Sequence, residues 1–190
     1  MKPSEELVRC SWCLSTPAYI EYHDTEWGVP NHDDDKHFEF LVLESAQAGL
    51  SWLTVLNKRG GYRRLFAGFN PQKIATFTST DVDRLVLNPS IIRNRQKIVA
   101  AVNNARLFLE IQKEFESFDT YIWSYVNNKP LIHQPNTSFR ATSPESDSLS
   151  KDLKKRGFKF LGSTIMYAHM QAMGLVNNHI VECFRYKELV

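Results

Sequence analysis

Phe38-Glu-Phe-Leu-Val-Leu-Glu44-Ser-Ala-Gln-Ala-Gly-Leu-Ser-Trp52 is the stretch on which the reading of this chain turns. Asp33, Asp34 and Asp35 precede it and supply N-cap candidates and negative charge for a helix start. Phe38, Leu41, Val42, Ser45, Ala48 and Trp52 recur at helical spacing and mark one packed face. Phe40 and Leu43 fall off that face, so the predicted helix, read through to Trp52, is apolar nearly all round and therefore central. Glu44 sits in its middle, with Phe40 and Leu41 one turn back and Gln47 and Ala48 one turn on. A carboxylate in such company either keeps its proton or has a partner that offsets its desolvation.

Outward from this helix, the chain reads as a series of short helices. Residues 8–30 hold Cys10, Trp12, Cys13, Tyr19, Tyr22, His23 and Trp27, and Pro17, Gly28 and Pro30 limit them to a short turn around Ala18 to Tyr22. Such an arm is too aromatic to leave in water, and the plain reading is that it lids the core. Short helical pieces at Leu53–Lys58 and Tyr62–Phe69 flank Gly60-Gly61. Pro71, capped by Asn70, opens another. Thr80, with Asp83 imitating a capping box, starts a helix that Asn88-Pro89 ends. A long helix is expected from about Ile92 to Gln112 and a short one from Phe118 to Val126. Asn127 to Ser146 is irregular and rich in Pro, Ser, Thr and Asn, which makes it a surface connection or a functional loop. Helices return at Ser146–Arg156 and Ser163–Met173, each stopped by a glycine. With no sustained β-alternation and no repeat, the expectation is an all-α, compact multi-helix globule forming a single domain over residues 1–190.

Composition agrees with a soluble globular chain: of 190 residues, 43% are hydrophobic and 23% charged. A net charge of +2 is too small to argue for nucleic acid alone, though it leaves room for a local basic patch. No apolar run reaches the roughly 18 residues of a membrane span, and the N-terminus lacks a signal-peptide core. The expected location is cytoplasmic, with no membrane partner. Cys10, Cys13 and Cys183 cannot all pair within one chain and read as thiols or metal ligands.

Four constellations could carry chemistry. His179 and Cys183 stand one helical turn apart, and Cys10, Cys13 and His23 could supply two more ligands of a closed tetrahedral zinc site. Spacing does not decide among these three, and buried thiols with a surface histidine explain the pattern equally well. The turn Asn88-Pro-Ser-Ile-Ile-Arg93-Asn-Arg95-Gln-Lys97 between two helices offers helix N-terminal amides and three cations to a phosphate, or is a solvated helix start. Lys151, Lys154, Lys155, Arg156 and Lys159 gather near a helix end, where the dipole alone would favour them. Trp12, Tyr19, Tyr22, Trp27 and Trp52 with Glu44 would hold a flat, cationic ligand such as a nucleobase.

Tyr22-His-Asp-Thr-Glu-Trp-Gly28, Leu43-Glu-Ser-Ala-Gln-Ala-Gly-Leu-Ser-Trp52, Ile91-Ile-Arg-Asn-Arg95, Lys154-Lys-Arg-Gly-Phe-Lys-Phe160 and Gly174-Leu-Val-Asn-Asn-His179 together resemble the bacterial 3-methyladenine DNA glycosylase I family. The resemblance runs in the family's order from Cys10 to Cys183. It implies one structural Zn2+ held by Cys10, His23, His179 and Cys183, joining the N- and C-terminal segments and leaving Cys13 aside. It implies a base pocket of Trp12, Tyr19, Tyr22, Trp27, Glu44 and Trp52; in that pocket Glu44 is expected to accept a hydrogen bond from the base and is the candidate catalytic residue, unless the lability of the lesion suffices. A helix-hairpin-helix at Leu87 to Lys97 would contact phosphate through Arg93, Arg95 and Lys97, although Ser90 stands where such turns commonly carry glycine. The implied partner is double-stranded DNA containing alkylated bases, bound by a monomer. The implied reaction is hydrolysis of the N-glycosidic bond of N3-methyladenine after base flipping. A non-catalytic zinc-stapled binder of a flat cationic ligand, or a glycosylase of different lesion range, is the alternative. No Asp follows Lys97 where related glycosylases place one; the helix offers Asn103, Asn104 and Arg106.

Overall fold

Side-chain caps set most of the helix starts. A computed structural model describes residues 7–132 and 140–189, and in it ten α-helices account for most of the chain. After a 3-10 turn at Ser11–Cys13, Thr16 caps α1 (Pro17–Thr25). Asp33 caps α2 (Asp34–Gln47), as the triplet of aspartates predicts. Asp34 also anchors a later helix, because its carboxylate accepts the backbone N–H groups of Phe118 and Asp119.

The predicted helix through Trp52 is two helices. Ala48 leaves helical geometry (φ −42°, ψ 115°), and Ser51 caps α3 (Trp52–Leu65), accepting from Thr54 N–H. Trp52 therefore opens α3 rather than continuing the face of Phe38. The expected break at Gly60-Gly61 is also absent, since α3 runs through both. Gly61 is there for close approach: a Cβ at this position would lie 2.1 Å from the carbonyl oxygen of Ser90.

Then follow α4 (Pro71–Ile74) and α5 (Ser79–Val86). The capping box that opens α5 is Thr78 with Asp81, two residues before the expected Thr80 and Asp83. The long helix α6 (Arg95–Phe115) starts three residues later than expected because Asn94 accepts Lys97 N–H and fixes its first turn. α7 (Phe118–Trp123) passes into a 3-10 turn to Val126. The strand β1 (Leu131–Ile132) pairs in parallel with β2 (Val176–Asn177), a short bridge that an all-α reading does not contain. Between them lie α8 (Pro144–Arg156), which begins two residues before its expected start, and α9 (Ser163–Ala172). Part of the irregular stretch expected at Asn127 to Ser146, residues 133–139, lies outside the described residues. α10 (Phe184–Glu188) ends the described chain.

The fold is helical around α2, which packs against α3, α6, α7 and α9. Phe38, Phe40, Leu41, Val42 and Leu43 are all buried, so the helix is covered on every side, as its sequence requires. Among the described residues, no helix is long and apolar enough to cross a membrane.

Candidate base pocket and metal cluster

Two buried carboxylates on α2 meet opposite fates. Glu39 accepts hydrogen bonds from Arg59 Nε and Arg63 at 2.8 Å and from Lys36 at 3.1 Å. Burial raises its pKa, but those cations outweigh burial and leave it below the ordinary range. Glu44, five residues on, is 3% exposed, and its Oε2 has no partner. Burial alone pushes Glu44 up to about 8. One acid is structural; the other is desolvated without compensation.

Aromatic rings surround that second acid. Trp52 stacks on Phe40 at 6.1 Å and tilts against Tyr22 at 5.5 Å, while its buried indole Nε1 has no acceptor. Burial first, and then the charge of Glu44, raises the Tyr22 hydroxyl, while burial, then Cys13 and last Glu44 raise that of Tyr19. Trp12 meets Tyr19 at 4.9 Å and Tyr22 at 6.4 Å, edge to face, so the N-terminal arm is joined to this group. Arg59, over Phe40 at 5.4 Å and bidentate to Glu26, braces the ring on which Trp52 stacks. The sequence gives no separate signal for Phe40 and Arg59, because an apolar residue and a cation on different helices look ordinary in isolation.

Cys10, His23, His179 and Cys183 converge, all buried, with ligand atoms within 4.8 Å of one another. Cys10 Sγ lies 3.6 Å from His179 Nδ1, and Cys183 Sγ lies 3.5 Å from both His179 Nδ1 and His23 Nε2. A tetrahedron with metal–sulfur bonds of about 2.3 Å and metal–nitrogen bonds of about 2.05 Å places S and N roughly 3.6 Å apart. The far nitrogens are occupied: His23 Nδ1 pairs with Asp24 at 2.7 Å, and His179 Nε2 faces the Trp27 carbonyl at 3.1 Å. Those contacts fix the tautomers that leave a lone pair toward the cysteines. Gly28, at φ +81°, is required beside them, since a Cβ there would stand 2.7 Å from His179 Nε2. The four residues fit a metal ion and could hold one. Cys13 is not among them; its thiol donates to the Cys10 carbonyl. Trp12 and Trp27 pack edge to face on His23 and His179 respectively, at 5.4 and 4.6 Å, so cluster and aromatic site share walls.

The hairpin between α5 and α6 largely satisfies itself. Asn88 accepts Ser90 N–H, Tyr62 Oη accepts Ile92 N–H, and Ile92 O accepts Asn94 N–H. Arg93 and Arg95 are exposed, with Arg95 ion-paired to Asp83 across the turn. Lys97 corrects the expectation of phosphate contact. It is 9% exposed, and its ammonium donates to the carbonyls of Ala46 and Ala48 at 2.8 and 2.6 Å. It lies on the inward face of α6 with Ile98 and Ala101 and neutralises the C-terminus of α2. Asn103 and Asn104 hold the backbone of residues 157–159, and Arg106 donates to Ala75 O, so none is free for a reacting base. The sequence reading also missed that 48–51 is a loop, in which Leu50 is 43% exposed.

Comparison with known proteins agrees with this geometry. A family model described as methyladenine glycosylase matches residues 12–186. The chain is 51% identical over 182 residues to DNA-3-methyladenine glycosylase 1 of Escherichia coli (strain K12), covering 95% of this chain and 97% of the relative. It is 49% identical to DNA-3-methyladenine glycosylase of Haemophilus influenzae, over 93% of this chain and 96% of the relative. A solved structure of 3-methyladenine DNA glycosylase I superposes with a TM-score of 0.90 at 51% identity, over 93% of this chain and 98% of the other. A variant of such an enzyme in complex with 3-methyladenine superposes at 0.89 with 40% identity, over 93% and 96%.

Proposed function

The chain belongs to the methyladenine glycosylase family, and from that premise we propose how its residues perform the reaction. The protein is a DNA glycosylase that hydrolyses the N-glycosyl bond of N3-methyladenine in alkylated DNA. Methylation at N3 leaves the base cationic, so its bond to C1′ is already weak. As that bond breaks, its electron pair returns to the ring and neutralises it. Water adds to C1′ and releases its proton to solvent, giving the C1′ hydroxyl. No acid is needed to protonate the leaving group. The protein's work is to extract the base from the stack and hold it.

The observation that carries this reading is the pair of unpartnered buried atoms, Glu44 Oε2 and Trp52 Nε1, within one aromatic group. A cationic base supplies what Glu44 lacks: charge compensation and an exocyclic N–H donor. Trp52 stacks on the base, while Tyr19, Tyr22, Trp12 and Trp27 line the pocket. Discrimination against adenine, which has the same amine, rests on charge, lability and fit around the methyl group. Glu44 serves as the recognition residue and, once ionised, stabilises positive charge at the reacting centre. Exposed Leu50, between the helix of Glu44 and Trp52, is suited to fill the space an extruded base leaves.

Cys10, His23, His179 and Cys183 would hold zinc, a choice supported by the Cys2His2 donor set and its S···N spacing, and with four protein ligands its role would be structural. A single domain is supported by one apolar cluster linking Tyr22 to Val176. Arg93 and Arg95 are the phosphate contacts of the hairpin. The test is to incubate the protein with methylated duplex DNA and identify the bases released. Release of 3-methyladenine supports the reading, added 7-methylguanine broadens the lesion range, and no release favours a binder of flat cations.

A further inference from the structure

The basic cluster near the end of α8 has no part in the site above. Beyond Gly157 the chain runs Phe158-Lys159-Phe160 along α6, and α6 grips it by the backbone. Asn104, 2% exposed, donates through Nδ2 to Lys159 O at 2.9 Å and accepts Lys159 N–H at 2.9 Å. Asn103 Nδ2 donates to Gly157 O at 3.1 Å. The residue delivered by this clamp is Phe160, at φ +58° and 38% exposed. Bulky side chains avoid that backbone region, and strain of this kind concentrates at working surfaces. Phe160 borders a groove of about 470 Å³ shared with Gln96, Val99, Ala100, Asn103 and Lys159. Val99 is 48% exposed there, one turn into the helix that follows the hairpin.

We propose that this groove, rimmed by Lys159 and Phe160, is a second contact surface for duplex DNA, holding the sugar-phosphate chain beside the hairpin. A DNA strand alternates apolar deoxyribose faces with phosphates, and the groove sets Val99 and Phe160 next to Lys159. Lys159 is the cation of the groove itself, and others are close to it in the chain or in the hairpin. Lys154, Lys155, Lys159 and Arg93 are exposed and form no ion pair among the described residues. The nearby acids Asp152 and Glu114 are both engaged by Arg156. Gln96 and Val99 belong to the first turns of α6, which makes the groove continuous with the hairpin face. The inference rests on duplex DNA being the substrate.

Fluorescence anisotropy of a duplex carrying a tetrahydrofuran abasic analogue, from roughly 50 to 300 mM salt, tests it with the full chain. Lys159→Gln is expected to weaken binding several-fold and reduce the salt slope by about one. Phe160→Asn, which keeps a residue tolerant of the left-handed backbone, is expected to weaken binding about tenfold with the slope unchanged. Trp fluorescence titration with free 3-methyladenine should not distinguish either variant from wild type, because the groove does not touch the base. Wild-type duplex affinity and slope in both variants would overturn the proposal, whatever the excision assay gives. Wild-type protein that releases no 3-methyladenine would instead count against the functional reading, with the duplex measurement still decisive for the groove.

Discussion

The ammonium of Lys97 lies 2.6 Å from the carbonyl oxygen of Ala48, the residue at which the Glu44 helix ends. One side chain thus ties the first turn of the hairpin's second helix to the end of the pocket helix. No carboxylate is among the hydrogen-bond partners of Lys97 in the described residues, so its charge answers the helix dipole and two carbonyls only. Lys97→Met keeps the stem and deletes the charge. A hydrogen bond from a charged group contributes about 1.5–3 kcal/mol, partly offset by removal of a buried ammonium. The expected loss is about 2 kcal/mol in urea denaturation. The salt slope of DNA binding should stay at the wild-type value, because this lysine meets no phosphate; a slope lower by about one would restore the surface role instead.

Glu44 should make the free protein less stable as pH rises. Its folded pKa of about 8 stands above the 4.5 of an ordinary glutamate. Between those values the folded chain holds a proton that the unfolded chain has lost, so stability falls as pH climbs through that window. Glu44→Gln carries no charge at any pH. Relative to its wild-type difference near pH 4, it should gain about 3 kcal/mol by pH 7, read from paired urea curves. A difference that does not change with pH would mean that the carboxylate is ionised and compensated in the free protein. Single-turnover excision by the same variant separates catalysis from recognition: a wild-type rate with wild-type base binding removes Glu44 from both.

How much of this was legible in the chain depends on whether a feature is local. Asp33 as a cap, the all-round burial of α2 and the discomfort of Glu44 follow from side chains within one or two turns of each other, and all three are found. His179 and Cys183, four positions apart, are local too, although a turn before α10 rather than a helix brings them together; whether Cys10 pairs with His23 or Cys13 depends on how the arm folds back. The resemblance named the set that the structure brings together, where spacing left it open. Two of the misreadings come from long-range contacts, and that of Trp52 from a local cap. Gly60-Gly61 looks like a helix break because the Ser90 carbonyl that needs the missing Cβ is 29 positions away. Lys97 looks like a surface cation because the carbonyls it reaches belong to α2. Trp52 fits the periodicity of α2, and only the Ser51 cap shows that it starts another helix.

The metal cluster should hold the arm against the body of the protein. Cys10 and His23 come from the N-terminal segment, His179 and Cys183 from the last described residues, so losing the ion frees both ends together. Burial holds the Cys10 thiol up to about 12 and lowers His179 to about 4, so a bound cation would make the Cys10 thiolate tolerable. His179→Ala is expected to lower the melting temperature by about 10 °C, taking a 3–5 kcal/mol loss and 2–4 °C per kcal/mol for a chain of this size. Elemental analysis should find one zinc per wild-type chain and less in the variant. Because Trp12 and Trp27 pack on the two histidines, Trp fluorescence should report weakened 3-methyladenine binding after chelation. A metal-free protein with unchanged melting and base affinity would show that the cluster is a set of buried thiols and imidazoles.

Gly61→Ala tests the seat of the hairpin on α3. Alanine suits a helix interior better than glycine by about 1 kcal/mol, so propensity alone predicts stabilisation. Packing predicts the reverse, since the new methyl would stand 2.1 Å from Ser90 O and 2.8 Å from Ser90 Cβ. Backbone cannot swing aside as a flexible side chain does, so the turn must move, and overpacking of this kind costs about 1–3 kcal/mol. Moving it also strains the contact of Tyr62 Oη with Ile92 N–H, made from the next position of α3. The expected outcome is a net loss of about 2 kcal/mol and weaker duplex binding, because Arg93 and Arg95 travel with the turn. Free 3-methyladenine binding should hold, as Glu44 and Trp52 do not depend on the Ser90 position. A stabilised Gly61→Ala with unchanged duplex affinity would mean that the hairpin sits further from α3 than the 2.1 Å approach describes.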